Sequence, residues 1–485
     1  MTTPSKTRRR PAILAAVCGI SLLSGCSLTP LYERPAAPIP ASYPVTAGSL
    51  DTRPAAQPTP QPTSGAEAAS TIRSTAWCTQ FPDPVLRRLI AAALEHNRDL
   101  KLAAARVEEA RALHGGQSAS RLPTVTLEGT TTHPARNTES AHQAGVALSA
   151  YELDFFGKAE SLSDAALHEY LATEQAQRSA RIGVVAEVVR SYVQERAAAS
   201  RVALARRTIA LRTAAVALLT RRVAAGASSP LELEQARSLV GSADTDLIEQ
   251  QLVHARAGHA LALLTGYSDA EATRDAPPFT SPAFGAGWGV TRAGLPSELL
   301  MARPDIVAAE QRLQAANAQI GAARAAFFPS VRLTAMGGLA SGELNNLFTP
   351  GSGALQFVPQ VSLPIFDGGR NRANLDLAKA RESLAVIEYE RAIQTAFREV
   401  SDALNRQTLL DREVAARRAM HEVEARRRTM TMNRYLAGAV GYLEVLDAER
   451  GLFAADQALL DARRARLENA AALYRALGGC PSASG

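Results

Sequence analysis

Leu443, Asp447 and Arg450 recur at i, i+4 and i+7, the spacing that sets three side chains on one helix face. That face offers one apolar, one acidic and one basic group, and clustered acidic groups can bind cations and bias ion passage. Taken alone, the same face is that of a solvated ion pair on a coiled-coil surface, of little energetic weight. No constellation for catalysis accompanies it. The eight histidines are scattered, and His254 and His259 are five residues apart, off a common helical face. There is no metal-ligand spacing, phosphate loop or nucleophile–base arrangement. Gly285-Ala-Gly-Trp-Gly289 has no strand before it and no helix after it, so it reads as a loop. The expectation is a protein that is not an enzyme and holds neither metal nor catalytic cofactor.

The elements that carry this face occur twice. Asp99-Leu100 is echoed at Asp305-Ile306, Arg106 at Arg312 and Pro123-Thr-Val at Pro329-Ser-Val, each 206 positions on. Arg222-Val-Ala-Ala-Gly226 returns at Arg434-Tyr-Leu-Ala-Gly438 and Leu231-Glu232 at Leu443-Glu444, 212 positions on. Gln235 stands where the second half has Asp447, so the two copies contribute unequally to any shared aperture. Duplication of a helix–hairpin–helix unit points to a structural barrel or tube.

Lys6, Arg8, Arg9 and Arg10 precede an apolar stretch, Pro11 to Leu23, too short for an anchor helix, so residues 1–25 read as a secretion leader. Leu23-Ser-Gly-Cys26 resembles the bacterial lipobox, in which the Cys26 thiol takes a diacylglyceryl group and its amine an acyl chain. With Ser27 and Leu28 following and no Asp in second position, that resemblance implies sorting to the outer membrane. Without the four leading basic residues the net charge of +6 shrinks to 49 basic against 47 acidic, which argues against nucleic-acid binding. The runs Arg206-Arg207, Arg221-Arg222 and Arg426-Arg427-Arg428 read as solvated helix faces. Cys78 and Cys480 bracket the repeats and could pair in an oxidising compartment. No apolar run beyond the leader approaches a membrane helix, so any crossing uses strands.

Residues 26–76 are a Pro-rich linker with too few apolar residues to fold alone. The first repeat occupies 77–266, a connector 267–296, the second repeat 297–479 and a tail 480–485. Asp83-Pro84 opens a helix running to about Gln117. Strands over 122–132 and 143–155 flank a polar loop, and Gly157 ends the hairpin. Residues 157–225 carry unbroken helical pattern, roughly 100 Å at 1.5 Å per residue. Gly226 stops it, and Ser229-Pro230-Leu231-Glu232 restarts a helix with a capping box, running to about residue 265. The second half repeats this plan: a helix into Phe327-Phe328-Pro329, strands 330–340 and 355–366, and helices 370–437 and 442–477. Four strands cannot close, and an open edge in lipid leaves backbone groups unpaired. Several chains must therefore pool strands; two would give eight and three would give twelve.

Specific motifs then carry a resemblance. Trp77-Cys-Thr-Gln-Phe-Pro-Asp-Pro-Val-Leu, Leu300-Met-Ala-Arg-Pro-Asp-Ile306 and Ala318-Gln-Ile-Gly-Ala-Ala-Arg-Ala-Ala-Phe-Phe-Pro-Ser330 are similar to the TolC/OprM/NodT outer-membrane factors. So are Tyr442-Leu-Glu-Val-Leu-Asp-Ala-Glu-Arg450 and Leu473-Tyr-Arg-Ala-Leu-Gly-Gly479. The resemblance implies an α+β membrane protein that forms a homotrimer, with one twelve-stranded outer-membrane barrel continuous with a periplasmic helical barrel. It implies the exit duct of a tripartite efflux system for small molecules, anchored in outer-membrane lipid and partnered by a periplasmic adaptor and an RND-type inner-membrane transporter. Leu443, Asp447 and Arg450 would line the constriction. Arg222, Gly226, Leu231 and Glu232, with Arg434, Gly438, Leu443 and Glu444, would form the adaptor-docking tips. Protein secretion, heavy-metal efflux and a purely structural envelope lipoprotein are the other readings.

Overall fold

The computed structural model describes residues 27–40, 43, 80–133, 140–268, 271, 273–288 and 297–479. The leader, the acylation site Cys26 and the cysteines Cys78 and Cys480 lie outside the described residues. In chain order the elements are α1 (Pro84–His96), α2 (Arg98–Ala119), β1 (Val125–Thr132), β2 (Ala141–Leu153), α3 (Lys158–Ala224) and α4 (Pro230–Thr265). The second half supplies α5 (Pro304–Ala325), β3 (Ser330–Ser341), β4 (Gly353–Ser362), α6 (Arg370–Leu436) and α7 (Tyr442–Ala476). Helices α3 and α6 are 67 residues each, about 100 Å by the helical rise. No helix among the described residues is long and apolar enough to cross a membrane.

Where one helix was expected over 85–117 there are two. Asn97 leaves helical geometry, and its buried side chain serves both neighbours. Its Oδ1 accepts from the backbone N–H of Asp99 and Leu100 at 3.0 and 3.1 Å, and its Nδ2 donates to Leu264 O in the last turn of α4 at 3.5 Å. An amide that caps α2 and meets the end of α4 stabilises a break that helix propensity alone would not place. The observed α2 also runs on through Gly115 and Gly116 to Ala119.

The chain divides into two compact units. Among the described residues the first gathers 27–37, Ala105–Gln175 and Val307–Arg391, and is built on one antiparallel sheet of order β1-β2-β3-β4. Its register sorts side chains by face. Val125 and Leu127 align with Leu148 and Val146, these with Ala335 and Gly337, and these with Phe357 and Leu355. Val331 and Leu333 opposite Val361 and Pro359 extend the same apolar face. The other face holds Glu128, Gln143, Gln356 and Gln360, and an ion pair of Arg332 Nε with Glu152 Oε2 at 3.4 Å. At the centre, Gly145 pairs with Gly338; a Cβ on Gly145 would come within 2.5 Å of Gly337 O, so only glycine permits that approach. The outer edges of β1 and β4 have no partner strand among the described residues.

Residues 27–37, the described start of the segment read as a linker, are held by contacts with other elements. Arg34 makes a two-pronged pair with the buried Glu310, Nε to Oε1 at 2.7 Å and Nη2 to Oε2 at 2.9 Å. Asn317 and Arg324 of α5 donate to the backbone oxygens of Pro30 and Leu28. Thr29 lies where a side chain on Gly321 would have to be, 2.1 Å from its would-be Cβ. Composition showed a segment that cannot fold alone; it is satisfied by contacts on other elements.

The second unit gathers Pro38–Ala104, Ala176–Ile306 and Ala392–Gly485. Its larger core joins Leu86, Leu89 and Ile90 of α1 with Val188, Tyr192 and Val193 of α3, Leu261 of α4, Trp288 of the connector and Leu467 of α7. Asp83 caps α1 as expected, its Oδ1 accepting from Val85 N at 2.8 Å, and its Oδ2 accepts the Tyr192 hydroxyl at 3.1 Å. Arg303 is buried and donates to Asp305, Glu399 and Ala476 O, so a charge taken out of water is fully partnered.

Candidate functional site

The two helix turns of the second unit hold every residue expected at the docking tips, and the residues expected at the constriction follow on α7. Both stop in the same way. Gly226 (φ 69°) and Gly438 (φ 75°) take the left-handed conformation. Ala227 N then bonds Arg222 O at 2.8 Å and Ala439 N bonds Arg434 O at 2.9 Å, the Schellman closure that glycine allows.

The restarts differ. Ser229 begins α4 with a full capping box: its Oγ accepts from Leu231 N at 3.1 Å, and Glu232 Oε2 accepts from Ser229 N at 3.1 Å. Gly441, at the same place before α7, has no side chain to cap with. Glu232 meets that need with its other oxygen, which accepts Tyr442 N at 3.4 Å. One carboxylate thus caps both helices. The Ser228 hydroxyl first, then the two backbone N–H groups and the Arg222 charge, hold it below the usual glutamate range.

Arg222 makes the second tie. Its Nη1 donates to the Tyr435 hydroxyl at 2.8 Å, and its guanidinium lies 4.9 Å from that ring's centroid. Tyr435 and Tyr442 meet edge to face at 5.1 Å over a small core of Leu219, Leu233, Val445 and Leu446. The Tyr442 hydroxyl is buried there without a hydrogen-bond partner among the described residues. Of the eight expected tip residues, Arg222 and Glu232 therefore bind turn to turn. Leu231, Arg434, Leu443 and Glu444 remain exposed.

Leu443, Asp447 and Arg450 do share one exposed face of α7, with Val445, Leu446 and Ala448 buried behind them. Asp447 is ion-paired with Arg427 of α6, whose Nη1 also meets Glu424 Oε2 at 3.3 Å. Glu424 is buried, and a Cβ on Gly451 would come within 2.6 Å of its Oε2. The Arg426–Arg428 run read as a solvated face is thus partly engaged: Arg427 holds Asp447, and Arg428 Nη2 lies 3.6 Å from Glu449 Oε1. Arg427 precedes Asp447 by 20 residues, and only the hairpin's closure brings the two together. Among the described residues no group of three His, Cys, Asp or Glu could hold a metal ion.

A duplicated pair of long helical hairpins with a four-stranded sheet of one apolar face is the fold of an outer-membrane channel subunit. The family model described as "Outer membrane efflux protein" matches residues 89–267 and 295–479, and the chain belongs to that family. It is 39% identical to the cation efflux system protein CusC of Escherichia coli over 97% of this chain and 99% of CusC. It is 40% identical to the toluene efflux pump outer membrane protein TtgI of Pseudomonas putida, over 94% of this chain and 96% of TtgI. A crystal structure of CusC superposes with a TM-score of 0.81 at 38% identity, covering 94% of this chain and all of that one. The protein is an efflux channel component of the outer membrane.

Proposed function

We propose that three copies of this chain form a closed exit duct for small molecules. The observation that carries the reading is the sheet: four strands, both edges unpaired among the described residues, and one apolar face running unbroken across all of them. Strands of 8 to 13 residues suit a bilayer crossing. Lipid tolerates no open edge, so the sheet must be completed by other copies, and three give twelve strands. Leu377, Leu384 and Ile387 of α6, exposed at coiled-coil spacing, offer a second surface for a neighbouring copy.

In the trimer, Leu443, Asp447 and Arg450 converge as the constriction. The exposed Arg434, Glu444 and Leu231 meet a periplasmic adaptor, and an RND-type inner-membrane transporter supplies the energy. Cys26, N-acylated and diacylglycerated, anchors the chain in outer-membrane lipid. The lipobox and the Leu–Asp–Arg face favour small-molecule cargo over protein secretion. Mass in detergent and planar-bilayer conductance test the proposal together. A trimer with low, intermittently opening conductance supports it; a monomer that conducts nothing and stays soluble without its lipid contradicts it.

A further inference from the structure

The second unit holds a cationic groove that the duct reading does not use. A cavity of about 560 Å³ lies among α3, α7, His421 of α6 and the connector, within the size range of small-molecule sites. Its floor is apolar, from Ala203, Leu204, Leu459 and Leu460, and its rim carries Arg196, Arg207 and Arg463 against a single acid, Asp456. Arg463 also lines an adjoining recess of about 100 Å³, together with Arg418, Arg466, the Ser281 hydroxyl and the rings of Phe279 and Phe284.

The charges are not balanced. Asp456 is shared between His421 Nε2 at 3.0 Å and Arg207 Nη2 at 3.8 Å. Arg466 pairs with Asp411, and Arg196 stands 3.7 Å from Glu195. The Arg196 Nε is nonetheless buried with no hydrogen-bond partner among the described residues. Among the described residues, no carboxylate forms an ion pair with Arg418 or Arg463. Arg463 Nη1 donates to the backbone oxygen of Thr280 at 3.2 Å. Its partial burial and the nearby Arg418 charge both pull the guanidinium below its usual value. Like charges held close together, beside a donor with no partner among the described residues and an apolar floor, suit an anionic group with an apolar body.

We propose that this groove binds an amphiphilic anion. Its carboxylate, sulfonate or phosphate head sits in the recess between Arg418 and Arg463, and its compact apolar body lies on the Leu204–Leu459–Leu460 floor. Planar guanidinium groups suit such oxyanion heads. A ligand there would touch three helices and the connector at once.

Calorimetric titration of the purified protein in lipid nanodiscs with naphthalene-2-sulfonate, corrected for empty nanodiscs at low ionic strength, tests this. The expected result is saturable binding at one site per chain, weakened about tenfold in Arg418→Gln and in Arg463→Gln. The uncharged naphthalen-2-ylmethanol should show no saturable heat. Absence of saturation in the wild type, binding by both variants as tight as by the wild type, or binding of the neutral compound as tight as of the sulfonate overturns the proposal. Arg418 is exposed and without an acid partner among the described residues, so its variant remains readable if Arg463→Gln does not fold.

Discussion

The turn at 222–232 and its copy at 434–444 descend from one pattern and do different work. The first carries its own cap, Ser229 with Glu232, and lends both Arg222 and Glu232 to the second. The second has a bare glycine at its restart, is capped from outside, and exposes its own Arg434 and Glu444. Duplication therefore preserved the backbone, two left-handed glycines and two Schellman closures, while the side chains split into a fastening turn and a presenting turn. The difference teaches that a repeat fixes where chain reversal happens, and that its exposed residues remain free to diverge.

The largest effect that separates the turns is expected from their shared glycines. Gly226→Val and Gly438→Val each force a β-branched residue to positive φ, at about 1–2 kcal/mol of strain, and nothing lies within 4 Å of either would-be Cβ. Both variants should still assemble as trimers, whereas Gly438→Val should abolish adaptor-dependent export. Loss of trimers in detergent would assign Gly438 a folding role instead. Next comes the shared carboxylate. Glu232→Ala removes an acceptor from two helix starts and should destabilise the turns by about 1 kcal/mol. Glu444→Ala should stay within about 0.5 kcal/mol. Thermal unfolding of the two variants side by side erases the comparison if they match.

Acid should act on the same pair of helix starts. Because the Glu232 carboxyl is held below its usual value in the folded chain, its contribution is complete above the ordinary glutamate value. It is lost as pH falls through the lowered one. Hydrogen exchange in peptides covering 228–232 and 439–446 should quicken at acid pH relative to Glu232→Gln, after correction for intrinsic rates; parallel curves would remove the carboxylate's role. The smallest contrast lies between the tyrosines. Tyr435→Phe loses the bond from Arg222 and should cost about 0.5–1.5 kcal/mol, while Tyr442→Phe relieves a buried hydroxyl without a partner and should be neutral or stabilising.

Much of this was legible before any coordinates. The ends of α3, α4, α6 and α7 fall within a residue or so of those expected, because glycine stops, the Ser229 cap and Pro230 act locally. Strand pattern gave four strands in the right places, with ends shifted by a few residues. What escaped reading depends on residues distant in sequence. Asn97 breaks a helix by meeting Leu264; residues 27–37 find Glu310 and Gly321; Glu232 caps a helix 210 positions away; and Arg427 meets Asp447 across a hairpin. Apart from Asn97, whose cap on the N–H groups of Asp99 and Leu100 is local, these contacts have no local signature.

The central claim is that the second turn's Leu443–Asp447–Arg450 face closes the duct. Single-channel conductance of the purified protein in planar bilayers tests it most directly, with wild type beside Asp447→Ala/Arg450→Ala. The account predicts longer openings and a higher conductance in the double variant. Conductance unchanged from wild type would contradict it.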